Sequence, residues 1–269
     1  KKGKKEKLIT ENSLNKGVKV TENLLTTTKN YLVNKYKKEG FYNTKVNINT
    51  IEVEDTIQTS KSVMNMVVNI DKGKKVKVKE IQFSGNTVIK DSKLKKAMKN
   101  TKQKNITRIL KRSKYIEADF KEDLNSVIDK YKENGYRDAR ILSDSLVVLD
   151  DKNVAIYIEL EEGELYTFGK IDFIGNTVYS DDILRRILRI NPGETYNGVL
   201  LEKRIADTEN PDAVDITNLY QNNGYLFSTI NPVEISAEGN VIDLEIRISE
   251  GKPVHFNDVN VIGNDVTND

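Results

Sequence analysis

The chain has 269 residues with no cysteine, which excludes disulfides, thiolate metal sites and cysteine nucleophiles. Its 43 Lys and Arg stand against 41 Asp and Glu, so the net charge of +2 selects no class of partner by bulk electrostatics. His255 is the only histidine, so no Ser-His-acid triad or multi-histidine metal site can be built within a repeating segment.

A charged fraction of 31% with only 7% aromatics suits several small domains with much surface and thin cores. No apolar run is long enough to span a bilayer as a helix. The first residues read KKGKKEK rather than a secretory signal, so any targeting segment is expected to lie outside this sequence.

Residues 1–73 open with helix-like patterns. Thr21 is placed to cap a helix that carries Leu25, Leu32 and Tyr36 on one face. After Gly40-Phe41, Thr44 to Val53 alternates as a strand with Val46 and Ile48 inward and Ile51 as a third candidate, and Val63 to Ile70 returns as its partner. Next, Val78 to Phe83 alternates, Gly85-Asn86 turns, and Asp91 or Ser92 is expected to cap a short helix through Leu94, Ala97 and Met98. A second helix carries Phe120, Leu124, Val127, Ile128 and Tyr131 as one buried stripe and ends before Gly135. Strands over Ala139–Leu149 and Val154–Leu160 flank an Asp150-Asp151-Lys152-Asn153 hairpin turn.

The order then repeats. Phe168 to Phe173, Gly175-Asn176 and a Ser180 cap lead into a helix with Ile183, Leu184, Ile187 and Leu188. Asn210-Pro211-Asp212 reads as a fresh helix start, so two helical pieces are expected, over Val199–Ala206 and Asp212–Gln221. Strands over Ser228–Ile235 and Val241–Ile248 close around Glu238-Gly239-Asn240.

Two markers count the repeats. The turn glycines Gly85, Gly175 and Gly263 stand 90 and 88 residues apart, and a Tyr-x-x-x-Gly-Phe/Tyr motif recurs at Tyr36, Tyr131 and Tyr220, spaced 95 and 89. A period this long lets each copy bury its own core. The predicted domains are 1–73, truncated and lacking its first strand; 74–163 and 164–251, both complete; and 252–269, the first strand and turn of a further copy. The fold class is α+β, each copy β-α-α-β-β with a three-stranded mixed sheet and two helices on one face. One strand per sheet is expected to be left at an edge.

The φ-x-φ-x-Gly-Asn strands IQFSGN, IDFIGN and VNVIGN, the Tyr-x-x-x-Gly ends and the acidic-Gly junctions DKG, EEG and SEG resemble the tandem POTRA (polypeptide-transport-associated) domains of the BamA family of outer-membrane protein assembly factors. The resemblance covers essentially the whole chain. It implies a periplasmic, non-enzymatic scaffold without cofactor or metal. It also implies a C-terminal β-barrel of the same chain that is absent here, and two kinds of partner: unfolded outer-membrane proteins and accessory assembly lipoproteins. A related translocation or secretion transporter is the nearest alternative.

In such domains the strand after the Gly-Tyr marker forms the exposed edge and accepts an added strand. Carried over, the edge positions are Val46 and Ile48; Arg140, Ile141, Leu142, Ser143, Ser145 and Val147; and Thr229 and Ile230. Physically, an edge presents unpaired N–H and C=O groups to any extended peptide. Pro232 lacks an N–H and weakens the last edge, so Arg140 to Val147 is the best expected docking strand. The joint between domains is placed at Gly73, Gly163 and Gly251, with Leu165, Tyr166 and Phe168 available to pack across it.

From Lys90 to Lys114 there are nine Lys and two Arg against one acid. This run is a solvated face by default; the sharper reading makes Lys95, Lys96, Lys99, Arg108, Lys111 and Arg112 a docking surface for an acidic partner or anionic lipid. Nucleic acid is not expected, because no aromatic residues interleave with the cations. The Gly-Asn pairs read as turns rather than binding loops, and the Tyr of each marker as packing. Asp181-Asp182 reads as a helix first turn, and Asp150-Asp151 as a hairpin tip rather than a cation site.

Overall fold

The computed structural model describes residues 2–15, 17–53, 63–104 and 113–260. The chain forms two compact units, one of Lys1–Val127 with Ile141–Leu160 and the other of Ile128–Arg140 with Glu161–Asp269. The division does not follow the repeats: it passes through the second one.

The first unit opens with α1 (Lys2–Glu11) and α2 (Glu22–Lys38). Thr21 caps α2 as its sequence position predicts, its Oγ1 accepting from the Leu24 N–H at 3.1 Å, and Glu22 at one end with Lys35, Lys37 and Lys38 at the other suits the helix dipole. Leu32 is fully buried, and Leu25 and Tyr36 are half-buried. The strands β1 (Lys45–Val53) and β2 (Val63–Asp71) pair antiparallel from Lys45↔Asp71 to Val53↔Val63. Val46 is buried and Ile48 half-buried, but Ile51 is 55% exposed. Residues 49–53 are all exposed, so the far half of this hairpin runs past the cover of the helical layer.

The second repeat supplies β3 (Lys77–Ser84), α3 (Asp91–Ala97), α4 (Glu117–Lys132), β4 (Arg140–Asp150) and β5 (Asn153–Glu161). Its sheet has the order β3-β5-β4, with β3 parallel to β5 in the register Val78↔Val154 and Ile81↔Ile156. The hairpin tip is held by Asp150, whose carboxylate accepts from the Lys152 N–H and the Asn153 side chain. Phe120, Val127 and Tyr131 of the α4 stripe are buried as its spacing predicts. Neither Asp91 nor Ser92 caps α3: Lys90 holds the cap position without a side-chain bond, and the Asp91 carboxylate accepts from Asn86 Nδ2 at 2.9 Å. Asn86 also donates to the Ile89 carbonyl, so the asparagine after the turn glycine orders the helix entry itself.

In the third repeat β6 (Thr167–Ile174), α5 (Asp181–Leu188), α6 (Gly198–Ile205), α7 (Ile216–Gln221), β7 (Thr229–Ser236) and β8 (Val241–Ser249) follow. The sheet order is β6-β8-β7, β6 parallel and β7 antiparallel to β8. Helices and sheet share one core that includes Phe168, Phe173, Leu184, Leu188, Tyr220 and Ile246. Ile183 is 40% exposed and lies outside it. Two helical pieces form where two are expected, but the second begins at Ile216, not Asp212. Asp215 is its cap, accepting from the Asn218 N–H at 2.7 Å, whereas Asn210 only turns the chain by accepting from the Asp212 N–H.

Each three-stranded sheet has two edges rather than the single one expected, because an open sheet has two outer strands, here β3 with β4 and β6 with β7. Residues 252–260 form no strand. The Gly263 turn lies outside the described residues.

Candidate functional site

The two edges of a repeat differ. At the first-strand edge, the Val78 N–H donates to the Ser113 carbonyl and the Val78 carbonyl accepts from the Lys104 N–H, both at 2.8 Å. In the third repeat Phe168 is closed off in the same way by Glu194 and Gly193, and Arg185 donates to the Ile171 carbonyl at 2.8 Å. The connection between the helices therefore covers the start of one edge. Among the described residues, the opposite edges, β4 and β7, have a strand neighbour on one side only.

Along β4, Leu142 is 52% exposed, Val147, Val148 and Leu149 are similarly open, and Ile141 is half-buried. Arg140 pairs with Glu161, and the Ser143 hydroxyl donates to Glu159 at 2.9 Å, so these two side chains bind inward to the neighbouring strand; Ser145 is exposed. On β7, Pro232 sits opposite Ile246, Thr229 is exposed, and Ile230 points into the core. Beside β1 a groove of about 360 Å³ is lined by Leu25, Thr26 and Lys29 of α2 together with Asn47, Ile48 and Asn49. Val46 is buried, so it supports this edge rather than presenting itself at it.

The joint is built three times in one way. The Val76 N–H donates to the Gly40 carbonyl (3.0 Å), Tyr166 to Gly135 (2.9 Å) and Val254 to Gly224 (2.9 Å). The accepting glycine belongs to the Tyr-x-x-x-Gly marker, and the donor lies three residues after Gly73, Gly163 or Gly251. At the middle joint Arg137 forms a two-pronged ion pair with Glu234, whose Oε1 also accepts from the Tyr196 hydroxyl at 3.2 Å. The Tyr166 hydroxyl donates to Asp138 at 2.8 Å, which pushes the phenol pKa up. Leu165 stays 47% exposed although its tip lies against Gly135, where an added Cβ would meet it at 2.5 Å. Phe168 does not pack across the joint; it is buried in its own core with its ring 4.8 Å from that of Tyr196.

A feature the sequence left unread ties the markers together. The residue before each joint glycine is Lys72, Glu162 or Glu250. Tyr131 donates its hydroxyl to Glu162 and Tyr220 to Glu250, both at 2.8 Å. The Glu250 carboxylate further accepts from the N–H groups of Thr177 and Val178, each at 2.8 Å, and from the Thr177 hydroxyl. Burial opposes its charge, but these donors win and hold its pKa below the usual carboxylate value. In the first repeat the sign is reversed, and the Lys72 ammonium lies 4.1 Å from the centre of the Tyr36 ring.

Of the expected basic surface, Lys95, Lys96 and Lys99 lie on or beside α3, whereas Arg108, Lys111 and Arg112 lie outside the described residues. His255 is exposed. No group of three or more His, Cys, Asp or Glu side chains able to hold a metal occurs among the described residues.

The family profile described as "POTRA: Surface antigen variable number repeat" matches residues 76–163 and 166–251. The outer membrane protein assembly factor BamA of Neisseria meningitidis serogroup B is 28% identical over 225 residues, 81% of this chain and 27% of that protein. BamA of Nitratidesulfovibrio vulgaris is 27% identical over 241 residues, 87% of this chain and 28% of that protein. The crystal structure of Haemophilus influenzae BamA POTRA3-5 superimposes with a TM-score of 0.52 at 20% identity, covering 72% of this chain and 73% of that one. This chain thus spans about a quarter of the length of the curated relatives it matches.

Proposed function

The chain belongs to the POTRA family, its tandem repeats related to those of BamA outer-membrane assembly factors, and we propose that it works as the periplasmic scaffold of such a factor. In this reading it holds unfolded outer-membrane proteins and accessory lipoproteins for a β-barrel of the same longer polypeptide. The contact is β-augmentation at the strands that follow the Gly-Tyr marker. The observation that carries it is the asymmetry of the sheets: the starts of β3 and β6 are covered by their own loops, while among the described residues β4 and β7 have no strand on their outer side. An extended peptide satisfies such a row of backbone groups with little demand on its sequence, which suits a scaffold with many clients. β4 is the best template because it lacks proline and carries exposed Leu142, Val147 and Val148. The groove beside Ile48 and Leu25 offers β1 as a second one.

The test is a photocrosslinking side chain at Ile141, at Ile48 and at Thr229 of the full-length protein, with an unfolded barrel precursor supplied. Capture from Ile141 and Ile48, and less from Thr229 beside Pro232, is the expected result. No capture from Ile141 removes β4 as the docking edge.

A further inference from the structure

Between α3, β3 and the segment that follows α3 lies a cleft of about 590 Å³ into which Lys95, Lys96, Lys102 and Lys104 converge, with Ser92 at its rim and buried Ile81 at its floor. The third repeat provides an internal control. Ninety residues on, the positions of Ile81, Phe83 and Lys95 are taken by Ile171, Phe173 and Arg185. There the guanidinium donates to the Ile171 carbonyl at 2.8 Å and stands 5.5 Å from the Phe173 ring, so the chain fills the place itself. In the second repeat Lys95 turns back to Asp91 at 3.5 Å. The connection from α3 to α4 is also longer, nineteen residues against nine between α5 and α6, and it brings Lys102 and Lys104 to the cleft. Lys102 donates to the carbonyls of Lys95 and Met98, which fixes its ammonium at the end of α3. Four cations face the concavity, and among the described residues its lining holds no acid.

We propose that this cleft is a binding site for a compact phosphate-bearing anion. Its size is that of a small-ligand pocket rather than of a flat docking face. Its charged donors among the described residues are ammonium groups, which act on phosphate oxygens as point charges, with the Ser92 hydroxyl and the Gln103 amide beside them. The site lies away from the outer strand edge and is independent of peptide capture there.

The test is calorimetric titration of the 269-residue chain with inorganic pyrophosphate at low salt, with hexaglutamate as the competing chemistry. Saturable binding of pyrophosphate is expected, weakened about tenfold in K96Q/K104Q, two exposed positions whose loss leaves the thermal midpoint in place. K95R keeps the charge but gives the second repeat the side chain that closes the third, and is expected to weaken binding about threefold. No pyrophosphate binding, unchanged binding in both variants, or tighter binding of hexaglutamate overturns the proposal. Flotation with vesicles of phosphatidylcholine, with and without phosphatidylglycerol, then separates the sources: recruitment that requires phosphatidylglycerol and is lost in K96Q/K104Q identifies a lipid headgroup, and its absence a soluble phosphate compound.

Discussion

At the scale of single residues, the repeat is held by groups that each serve two elements. Glu250 closes the third repeat by tying the last strand to the turn after β6 and to the end of α7 through Tyr220. Replacing it with alanine leaves two backbone N–H groups and a phenol without their acceptor, and about 3 kcal/mol of stability is expected to be lost in urea unfolding. The pH dependence follows from the sign of its shift. Its pKa is lower folded than unfolded, so its contribution is complete above the ordinary value of 4.5 and disappears as pH falls through the folded value. The wild type is therefore expected to lose stability on acidification more steeply than E250Q. Gly175 has φ of +89°, and a Cβ there would lie 2.2 Å from the Ile248 carbonyl oxygen, so neither the conformation nor the space admits a side chain. G175A is expected to cost about 3 kcal/mol or more, with disrupted pairing between β6 and β8 read by hydrogen exchange. The Gly-Asn pairs were legible as turns because glycine and asparagine carry that chemistry locally. The duties of Glu162 and Glu250 were not, because a carboxylate next to glycine looks the same whether solvated or buried.

At the scale of elements, the joint bonds each Gly-Tyr marker to the residue three positions after the next junction glycine. The backbone bond from Tyr166 to Gly135 and the Arg137–Glu234 pair lie inside one compact unit, and residues 128–140 belong with the third repeat although their sequence completes the second. The ion pair is about one-third exposed on each side, so its removal is expected to cost only about 1 kcal/mol in global stability. Local opening should respond more: R137A is expected to speed exchange of the Tyr166 amide several-fold while leaving that of Ile246 in the core unchanged. The helices show the same division of labour. The spacing in α4 named Phe120, Val127 and Tyr131, which are buried, and Leu124 and Ile128, which are only half-buried. The start of α7 escaped because Asn210-Pro211 and Asp215 both carry start signals, and which one the chain uses depends on where Ile216 and Tyr220 reach the core.

At the scale of the molecule, one joint bond recurs three times, from Val76 to Gly40, Tyr166 to Gly135 and Val254 to Gly224, each within a single compact unit. The sequence alone determined the repeat period, the order of strands and helices and the family, because glycines with positive φ and alternating apolar residues are local requirements written into each copy. Only the tertiary structure decided which edge is covered at its start, since Lys104, Ser113 and Glu194 bond to Val78 and Phe168 through backbone groups that no side-chain pattern records. It also decided that the same helix position is a filled slot in one repeat and an open cationic cleft in the next. Whether Arg185 or Lys95 reaches the strand beneath depends on side-chain reach and on the length of a distant connection, and a linear period carries neither.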